Sequence, residues 1–312
     1  AVYGARAAYI GGAAGTATVL AGKMFHIPIS GTMAHSWVMT FDSEYDAFKA
    51  YAESYPDGTV LLVDTYDVLK SGVPNAIRTA REVLEPMGKK LIGIRLDSGD
   101  LAYLSKEARK MLDEAGLSDC MIVASNSLDE YTISSLNRQG AKIDSYGVGE
   151  RLITSSSTPV FGAVYKLVAI QKDGKFIPKI KISETAEKIT NPGIKEVYRV
   201  YDENGKAVAD YLAVKGEQIR DLEPVRYVDP VNYWKNRSFV GCRFKKLQVP
   251  VFEKGKRIYD LPDIEEIRQY VKDQLENEIW EEEQRFENAH THYLDMSPAM
   301  FELKMSLLHE EN

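Results

Sequence analysis

The 312-residue chain is poor in cysteine and has no excess of positive charge. Cys120 and Cys242 stand alone in the sequence and form no CxxC pair, which argues against a disulfide framework and against a structural zinc site. Lysine and arginine number 39 against 46 aspartate and glutamate residues, so the broad basic face that nucleic-acid binding requires is not expected. No apolar run approaches the roughly 18 residues that a membrane-spanning helix needs.

The start of the chain also lacks an initiator methionine and the basic and apolar regions of a signal peptide. We therefore expect a protein of the reducing cytoplasm that binds neither nucleic acid nor membrane. We also expect that an N-terminal portion precedes Ala1.

Apolar runs typical of buried strands alternate with helical patterns at intervals of roughly 23 to 32 residues. The runs are 26–30, 59–65, 91–96, 121–125 and 143–148. Helices are predicted between them, beginning at Asp42 or Ser43 and over 74–87, 101–115 and 128–139. This order predicts an α/β fold with a parallel sheet, either closed as a (β/α) barrel or open and doubly wound.

Polar residues follow several of these runs, and chemistry shared among several strand ends favours the barrel. The open-sheet alternative predicts a glycine-rich nucleotide turn after the first strand. Gly11–Gly15 does not have the spacing of the dinucleotide fingerprint, and Gly22-Lys23 is not a Walker motif.

From about Tyr165 the pattern changes to short β-type runs at 164–171, 197–202 and 211–214. The dipeptides Asp173-Gly174 and Asn204-Gly205 predict hairpins. An amphipathic, glutamate-rich helix is predicted from Asp263 towards Phe286.

The most informative segment runs from Leu91 to Leu101, where an apolar run ends in Arg95, Asp97, Ser98, Gly99 and Asp100. A guanidinium can bind an anion, and the carboxylates can hold hydroxyl groups or a metal ion. The alternative is a strand followed by a helix-capping aspartate, with Arg95 in a structural ion pair.

A second polar segment, Gly31-Thr32-Met33-Ala34-His35-Ser36, follows the first apolar run. Its small residues allow a ligand to approach the backbone, and the imidazole of His35 can act as acid, base or nucleophile near neutral pH. A hydrogen-bonded structural histidine is the alternative.

The remaining candidates lie after the last two apolar runs. Gly147 and Gly149 expose backbone N–H groups that suit a phosphate, with the hydroxyl of Thr154 close behind, although a tight turn would also explain the glycines. Ser125 and Asn126 either bind a substrate hydroxyl or cap the following helix.

Two features near the carboxyl terminus are interpreted as surface. His290, His292 and Asp295 lack further ligands at fixed spacing, so no metal is assigned to them. The run 281–283 is interpreted as a solvated helix face.

Taken together, these segments resemble the nicotinate phosphoribosyltransferase family over essentially the whole chain. The resemblance rests on 31–36, 95–101, 146–149 and 162–168, on 181–183 leading to 190–193, and on 293–297. It implies a type II phosphoribosyltransferase barrel, incomplete here, with an additional α/β domain contributed by later strands and C-terminal helices. The implied boundaries are a partial barrel over 1–162, a β-rich segment joining the N-terminal-type domain over 163–230, and a C-terminal helical region over 231–312.

The activity that the resemblance implies is transfer of phosphoribose from phosphoribosyl pyrophosphate to nicotinate, giving nicotinate mononucleotide and pyrophosphate, with ATP and Mg²⁺. His35 matches the family's phosphorylated histidine, and Thr32 and Arg95 match positions that contact nicotinate. Asp97 would face the ribose hydroxyls or magnesium and would stabilise an oxocarbenium-like transition state. The implied assembly is a homodimer with shared active sites, in which a region preceding this chain supplies an aromatic residue that stacks on nicotinate.

Two alternatives stay open. A related pyridine phosphoribosyltransferase, for nicotinamide or quinolinate, would share the architecture. A chain without its N-terminal region could instead be a catalytically silent fragment that binds ligand or partner, with apolar surface exposed where that region would lie.

Overall fold

The computed structural model describes residues 1–160, 162–185, 188–234 and 236–310. The chain divides into two compact units, Ala1–Phe161 and Gly162–Asn312. No helix within the described ranges is both long enough and apolar enough to cross a membrane.

The first unit is built around a parallel sheet. Its described strands are β1 (Val60–Leu62), β2 (Gly93–Leu96), β3 (Met121–Ala124) and β4 (Ser145–Tyr146), hydrogen-bonded in that order. Each pair is parallel, with Leu62 opposite Arg95 and Arg95 opposite Val123. The α/β class with a parallel sheet is thus confirmed, whereas closure of that sheet into a barrel stays a prediction.

The first predicted strand, 26–30, is wrong. Within the described residues this segment makes a single parallel bridge, between Thr16 and Ile29, and no ladder. An apolar run forms a strand only where a neighbouring strand satisfies its backbone groups, and local sequence does not reveal whether one is there.

Helices precede, connect and follow the strands of the first unit. Their bounds are α1 (Val2–Ile10), α2 (Val19–Phe25), α3 (His35–Met39), α4 (Glu44–Ser54), α5 (Val73–Thr79), α6 (Leu101–Glu114), α7 (Glu130–Arg138) and α8 (Glu150–Ile153). Helix α5 continues a π-helical turn, Val68–Gly72, and runs on through Ala80–Leu84 and Glu85–Met87.

Side-chain caps explain where these helices begin. Ser43 accepts from the N–H of residue 46, and Asp100 and Asp129 accept in the same way at the starts of α6 and α7. Asp67 accepts the N–H groups of residues 69 and 70, so the helix predicted to start at residue 74 starts six residues earlier, at Val68. The other helices predicted for the first unit are confirmed to within a few residues.

The core of the first unit lies on both faces of the sheet. Leu61, Leu62, Ile94, Leu96 and Ile122 are fully buried, which is why these strands are continuous apolar runs without alternation. Each such side chain contributes about 1.5–3 kcal/mol by leaving water.

The second unit contains a six-stranded sheet in the order β10-β9-β14-β8-β7-β11 among the described residues. Its strands are β7 (Lys195–Tyr201), β8 (Ala207–Val214), β9 (Val225–Val228), β10 (Asn236–Phe239), β11 (Arg243–Lys246) and β14 (Leu294–Met296). Two further hairpins pair β5 (Ala169–Lys172) with β6 (Lys175–Pro178), and β12 (Phe252–Glu253) with β13 (Lys256–Arg257).

The two hairpin predictions are confirmed. Gly174 joins β5 to β6 and Gly205 joins β7 to β8, and both have positive φ angles, of 75° and 81°. The strand predicted over 164–171 forms later, at β5.

The helices of the second unit are α9 (Ile264–Asp273) and α10 (Pro298–Glu310). Asp263 and Glu266 form a reciprocal capping box at the start of α9. The prediction that this helix reaches Phe286 is wrong, because it ends in a π-helical turn at Gln274–Glu278 and residue 279 is extended.

The predicted division of the second unit at residue 230 stays a prediction. The six-stranded sheet takes β7, β8 and β9 from before that residue and β10, β11 and β14 from after it. The segment 231–312 therefore contains strands as well as the expected helices.

Candidate functional site

Polar side chains from three neighbouring strands meet at the carboxyl edge of the parallel sheet. Asp64 follows β1, Arg95 lies in β2 with Asp97 directly after it, and Ser125 follows β3. Parallel strands place their carboxyl ends at one edge, where α/β proteins bind their ligands. We call Asp64, Arg95, Asp97, Ser125 and His35 the strand-end cluster.

Arg95 lies at the centre of this cluster. Its Nε donates to Ser125 Oγ at 2.9 Å, Nη1 donates to Thr32 Oγ1 at 2.9 Å, and Nη2 donates to Asp97 Oδ1 at 3.0 Å. The guanidinium is thereby fixed in one plane while about a quarter of the side chain (26%) stays exposed. It is a preorganised cation with N–H capacity left for an anion.

Asp97 is held in its ionised form by its neighbours. Burial raises the pKa of this carboxyl, but hydrogen bonds from the Ser125 hydroxyl and the Arg95 guanidinium outweigh that effect, so its pKa lies below the usual value. Ser125 Oγ thus accepts from Arg95 and donates to Asp97, and it links the cation to the anion.

Asp64 belongs to the strand-end cluster but is not among the site residues predicted from the sequence. Its side chain is almost fully buried, and Oδ2 accepts the N–H of Asp97 at 2.9 Å and the hydroxyl of Ser98 at 2.5 Å. The other oxygen, Oδ1, has no hydrogen-bond partner within the described part of the chain. The available signal was its place directly after an apolar run, the same signal that identified Arg95 and Asp97.

His35 is the first residue of helix α3, and its ring faces the carboxylates of the strand-end cluster. Its Nδ1 lies 3.0 Å from Thr65 Oγ1, and its Nε2 lies 3.5 Å from Asp97 Oδ2 and 3.9 Å from Asp64 Oδ1. The ring is 39% exposed. One ring nitrogen is therefore oriented by a hydroxyl, while the other faces two carboxylates and remains within reach of solvent.

Thr32, predicted from the same segment as His35, lies in the cluster as well. Its Oγ1 accepts from Arg95, and the same hydroxyl donates to the carbonyl of residue 33 at 3.3 Å. The segments 31–36 and 95–100, far apart in the sequence, thus meet at one point.

Ser98 and Gly99 shape the turn that carries Asp97. Gly99 has a φ of 78°, in the left-handed region that favours glycine, and an added Cβ would lie 2.9 Å from Leu104 Cδ1. Asp100 then caps α6, so the turn begins with a ligand-facing residue and ends with a structural one. The helix-capping role of Asp100 is confirmed, and the ligand-binding role of Asp97 stays a prediction.

Gly147 lies against the cluster through Ser125. Its N–H donates to the carbonyl of Ala124 at 2.7 Å, and an added Cβ would lie 3.3 Å from Ser125 Cβ. Asn126 has a φ of 92°, a conformation that ordinary side chains rarely adopt and that often accompanies function.

Gly149 and Thr154 lie at the two ends of the short helix α8. The carbonyl of Gly149 accepts from residue 153, and the hydroxyl of Thr154 donates to the carbonyl of Glu150 at 2.7 Å. The hydrogen bonds found for these two residues in the described chain are internal to α8, and none of them links α8 to Arg95.

The interpretation of His292 and Asp295 as surface residues is wrong. Asp295 lies in strand β14 with 7% exposure, and burial together with the nearby charge of Asp229 raises its pKa to about 6. His292 is three-quarters buried, with Nδ1 3.0 Å from Glu283 and Nε2 3.4 Å from Asp210. Isolated residue types do not reveal such burial, because it depends on which strand lies in the middle of the sheet.

Among the described residues, no group of three or more histidine, cysteine, aspartate or glutamate side chains could hold a metal ion by itself. Within the strand-end cluster, Asp64 and Asp97 supply two carboxylates. Two carboxylates suit a magnesium ion whose remaining ligands are substrate oxygens and water.

Comparison with solved structures defines the class of fold. A structure of human nicotinic acid phosphoribosyltransferase matches 97% of this chain and 66% of its own, with a TM-score of 0.78 at 24% identity. A structure of nicotinate-nucleotide pyrophosphorylase from Pyrococcus furiosus matches 87% of this chain and 61% of its own, with a TM-score of 0.60 at 27% identity. The fold is that of the type II phosphoribosyltransferases.

Sequence comparison is more specific. The family model described as the nicotinate phosphoribosyltransferase (NAPRTase) family matches residues 6–206, and the model of its C-terminal domain matches residues 194–304. The chain belongs to the nicotinate phosphoribosyltransferase family.

Individual relatives agree. The nicotinate phosphoribosyltransferase of Bacillus subtilis is 50% identical over 311 residues, which is 99% of this chain and 63% of that protein. That of Dictyostelium discoideum is 36% identical, over 95% of this chain and 58% of that protein. The chain thus spans less than two thirds of the length of these relatives.

Proposed function

We propose that this chain transfers the phosphoribosyl group of phosphoribosyl pyrophosphate to the ring nitrogen of nicotinate, forming nicotinate mononucleotide and pyrophosphate in NAD salvage. The observation that carries the proposal is the geometry of Arg95, which Thr32, Ser125 and Asp97 fix at the strand ends of a chain of this family.

Arg95 would bind the carboxylate of nicotinate. Nη2 donates one N–H to Asp97 and keeps a second, and the side chain is partly open to solvent. Nicotinamide has a neutral amide in place of the carboxylate and cannot form an ion pair with the guanidinium, so the acid is the favoured substrate.

Asp97 would stabilise the transition state. Positive charge develops on the ribose as the bond between its anomeric carbon and pyrophosphate breaks, before the nitrogen of nicotinate has fully bonded to that carbon. A carboxylate whose pKa is held down is ionised at neutral pH and needs no reorganisation to face that charge.

His35 would accept a phosphoryl group from ATP at Nε2. With Nδ1–H donated to Thr65, the lone pair is on Nε2, and the N–P bond forms as the γ-phosphorus separates from ADP. A phosphohistidine adds negative charge beside the cluster and can organise the pyrophosphate leaving group through its metal ion.

Asp64 and Asp97 would hold Mg²⁺ through Asp64 Oδ1, which lacks a hydrogen bond in the described chain, and Asp97 Oδ2. When bound, the ion would neutralise the charge of the pyrophosphate group. The Asp97 N–H and the Ser98 hydroxyl fix the Asp64 carboxylate by donating to its Oδ2, and Arg95 and Ser125 fix the Asp97 carboxylate.

The phosphate groups would be bound by backbone N–H groups and hydroxyls in the loops after β2, β3 and β4. We assign this role to the backbone N–H groups of Ser98, Gly99, Asn126 and Gly149. Gly147 and Thr154 would shape the loops around the phosphate, because the Gly147 N–H donates to Ala124 and the Thr154 hydroxyl donates to Glu150. A cytoplasmic homodimer with shared active sites is part of the same proposal.

A product assay tests the proposal. The chain is incubated with phosphoribosyl pyrophosphate, Mg²⁺ and labelled nicotinate, with and without ATP, and the mononucleotide is separated by chromatography. We expect a labelled mononucleotide from nicotinate, stimulated by ATP, and far less product from nicotinamide. Equal or greater use of nicotinamide would instead identify a related pyridine phosphoribosyltransferase, and binding of nicotinate without product would identify a silent fragment.

A further inference from the structure

Glu44 is a buried carboxylate outside the strand-end cluster. It is 5% exposed and lies in the first turn of helix α4. Its Oε2 accepts hydrogen bonds from Ser71 Oγ and, at 2.9 Å, from Asn75 Nδ2, while Oε1 is buried without a hydrogen-bond partner in the described residues. Burying a carboxylate is costly unless its bonds are worth more than the hydration it loses, so this group of three residues calls for an explanation.

One end of this group is connected to His35. Helix α3, which begins at His35, is fastened to helix α4 by a hydrogen bond from Trp37 Nε1 to the carbonyl of Ala47, at 3.2 Å. Val38 of α3 and Phe48 of α4 are both fully buried in the same core. A displacement of α4 would therefore carry α3, and with it the His35 ring.

The other end is connected to the strand end that faces His35. Ser71 belongs to the π-helical turn Val68–Gly72, and a Cβ added at Gly72 would lie 1.8 Å from the carbonyl oxygen of Val63. The π-helical turn therefore packs directly against the backbone of Val63, which continues into Asp64 and Thr65. π-Helical turns are uncommon and are frequently found beside functional sites.

We propose that Glu44 is a positioning residue for His35. Its hydrogen bonds with Ser71 and Asn75 attach α4 to the π-helical turn and to α5. This attachment keeps the His35 ring at its distance from Thr65 and Asp64. A carboxylate suits this role because its hydrogen bonds are about twice as strong as those of neutral acceptors.

The catalytic consequence rests on the proposed function, whereas the positioning itself does not. The primary measurement is therefore the chemical reactivity of the His35 ring. Diethyl pyrocarbonate acylates accessible, unprotonated imidazole nitrogens, and mass spectrometry of peptides gives a separate rate for each histidine. Exposed His290 of the second unit serves as the internal reference.

The variants are Glu44→Ala, which removes both hydrogen bonds, and Glu44→Gln, which keeps an acceptor oxygen. The control is Glu53→Gln, which neutralises an exposed carboxylate on the same helix. We expect Glu44→Ala to raise the acylation rate of His35 relative to His290 by about fivefold as the bond to Thr65 loosens. Glu44→Gln should stay closer to the wild type, and Glu53→Gln should match it.

A folded Glu44→Ala protein in which His35 reacts at the rate of the Glu53→Gln control would overturn the proposal. Circular dichroism establishes folding beforehand. Should Glu44→Ala fail to fold, Ser71→Ala removes a single donor and is judged by the same criterion.

The product assay adds a second readout. We expect Glu44→Ala to lower kcat by about tenfold and to leave KM for nicotinate within about twofold, because Arg95, although bonded to Thr32 before α3, is also held by Ser125 and Asp97. A wild-type chain that forms no product would refute the proposed function, and the reactivity of His35 would still decide the role of Glu44.

Discussion

Arg95 and Ser125, at the ends of neighbouring parallel strands, are joined by a 2.9 Å hydrogen bond from the guanidinium Nε to the serine Oγ. The same hydroxyl donates to Asp97, so one small side chain fixes both a cation and an anion. Buried networks of this kind are worth more than their separate bonds, and they hold a site in place before the substrate arrives.

Removing that hydroxyl should release Asp97. In Ser125→Ala the carboxyl loses a donor, and we expect its pKa to rise towards the usual value, which carboxyl-labelled NMR titration would measure. A carboxyl whose pKa is lower in the folded than in the unfolded chain stabilises the protein at pH values above its unfolded-state pKa, which is near 4. That stabilisation is lost as the pH falls through the folded-state pKa. Ser125→Ala should therefore cost more stability at pH 7 than at pH 3, and an equal loss at both would contradict the account.

Asp295 should show the opposite pH dependence. Its pKa is raised to about 6, so between pH 4 and 6 the unfolded chain loses the proton first and stability falls as the pH rises. The raised pKa corresponds to a penalty of about 3 kcal/mol above pH 6. Asp295→Asn should recover part of this at pH 7.5 and little at pH 4 in urea unfolding, whereas exposed Asp260→Asn should change neither. A variant that is equally affected at both pH values would show that Asp295 is not the titrating group.

Replacing Gly72 tests how closely the π-helical turn packs against the sheet. Alanine is favoured over glycine in a helix by about 0.5–1 kcal/mol, but a Cβ 1.8 Å from the carbonyl oxygen of Val63 forces backbone to move. We expect Gly72→Ala to destabilise the protein by about 3 kcal/mol or more, whereas Gly58→Ala, which meets nothing within 4 Å, should stay within about 0.5 kcal/mol. Similar thermal midpoints for the two variants would refute the close approach.

His35 should carry an acid-labile phosphate after incubation with ATP. Peptide mapping under alkaline conditions should locate the label at His35 and find none at exposed His290, and His35→Asn should abolish it. ATP-stimulated product formation without phosphate on His35 would contradict the assigned role.

The sequence predicted the α/β class and which side chains meet at the strand ends, whereas the binding and catalytic roles of those side chains stay predictions. Arg95, Asp97 and Ser125 were found because each follows or ends an apolar run, and the ends of parallel strands must meet. Asp64 also follows an apolar run but is not among the predicted site residues. The neighbouring sequence does not show that its side chain is almost wholly buried.

The errors have a common physical cause. The run 26–30 has strand composition but lacks a ladder in the described chain, and the helix from Asp263 ends in the π-helical turn Gln274–Glu278, short of Phe286. Both outcomes depend on long-range packing, which a local pattern does not contain. The same holds for Asp295, whose burial follows from the place of β14 inside the sheet.

We propose that Arg95 makes the strand-end cluster a site for the carboxylate of nicotinate. The most direct test compares kcat/KM for nicotinate and for nicotinamide between the wild type and Arg95→Lys, with exposed Arg138→Lys as the control. Loss of a charge-assisted bond in a fixed geometry is worth about 1.5–3 kcal/mol, so the preference for the acid should fall by about 10- to 100-fold in Arg95→Lys and should not change in the control. An unchanged preference in a folded Arg95→Lys protein would show that the carboxylate is recognised elsewhere.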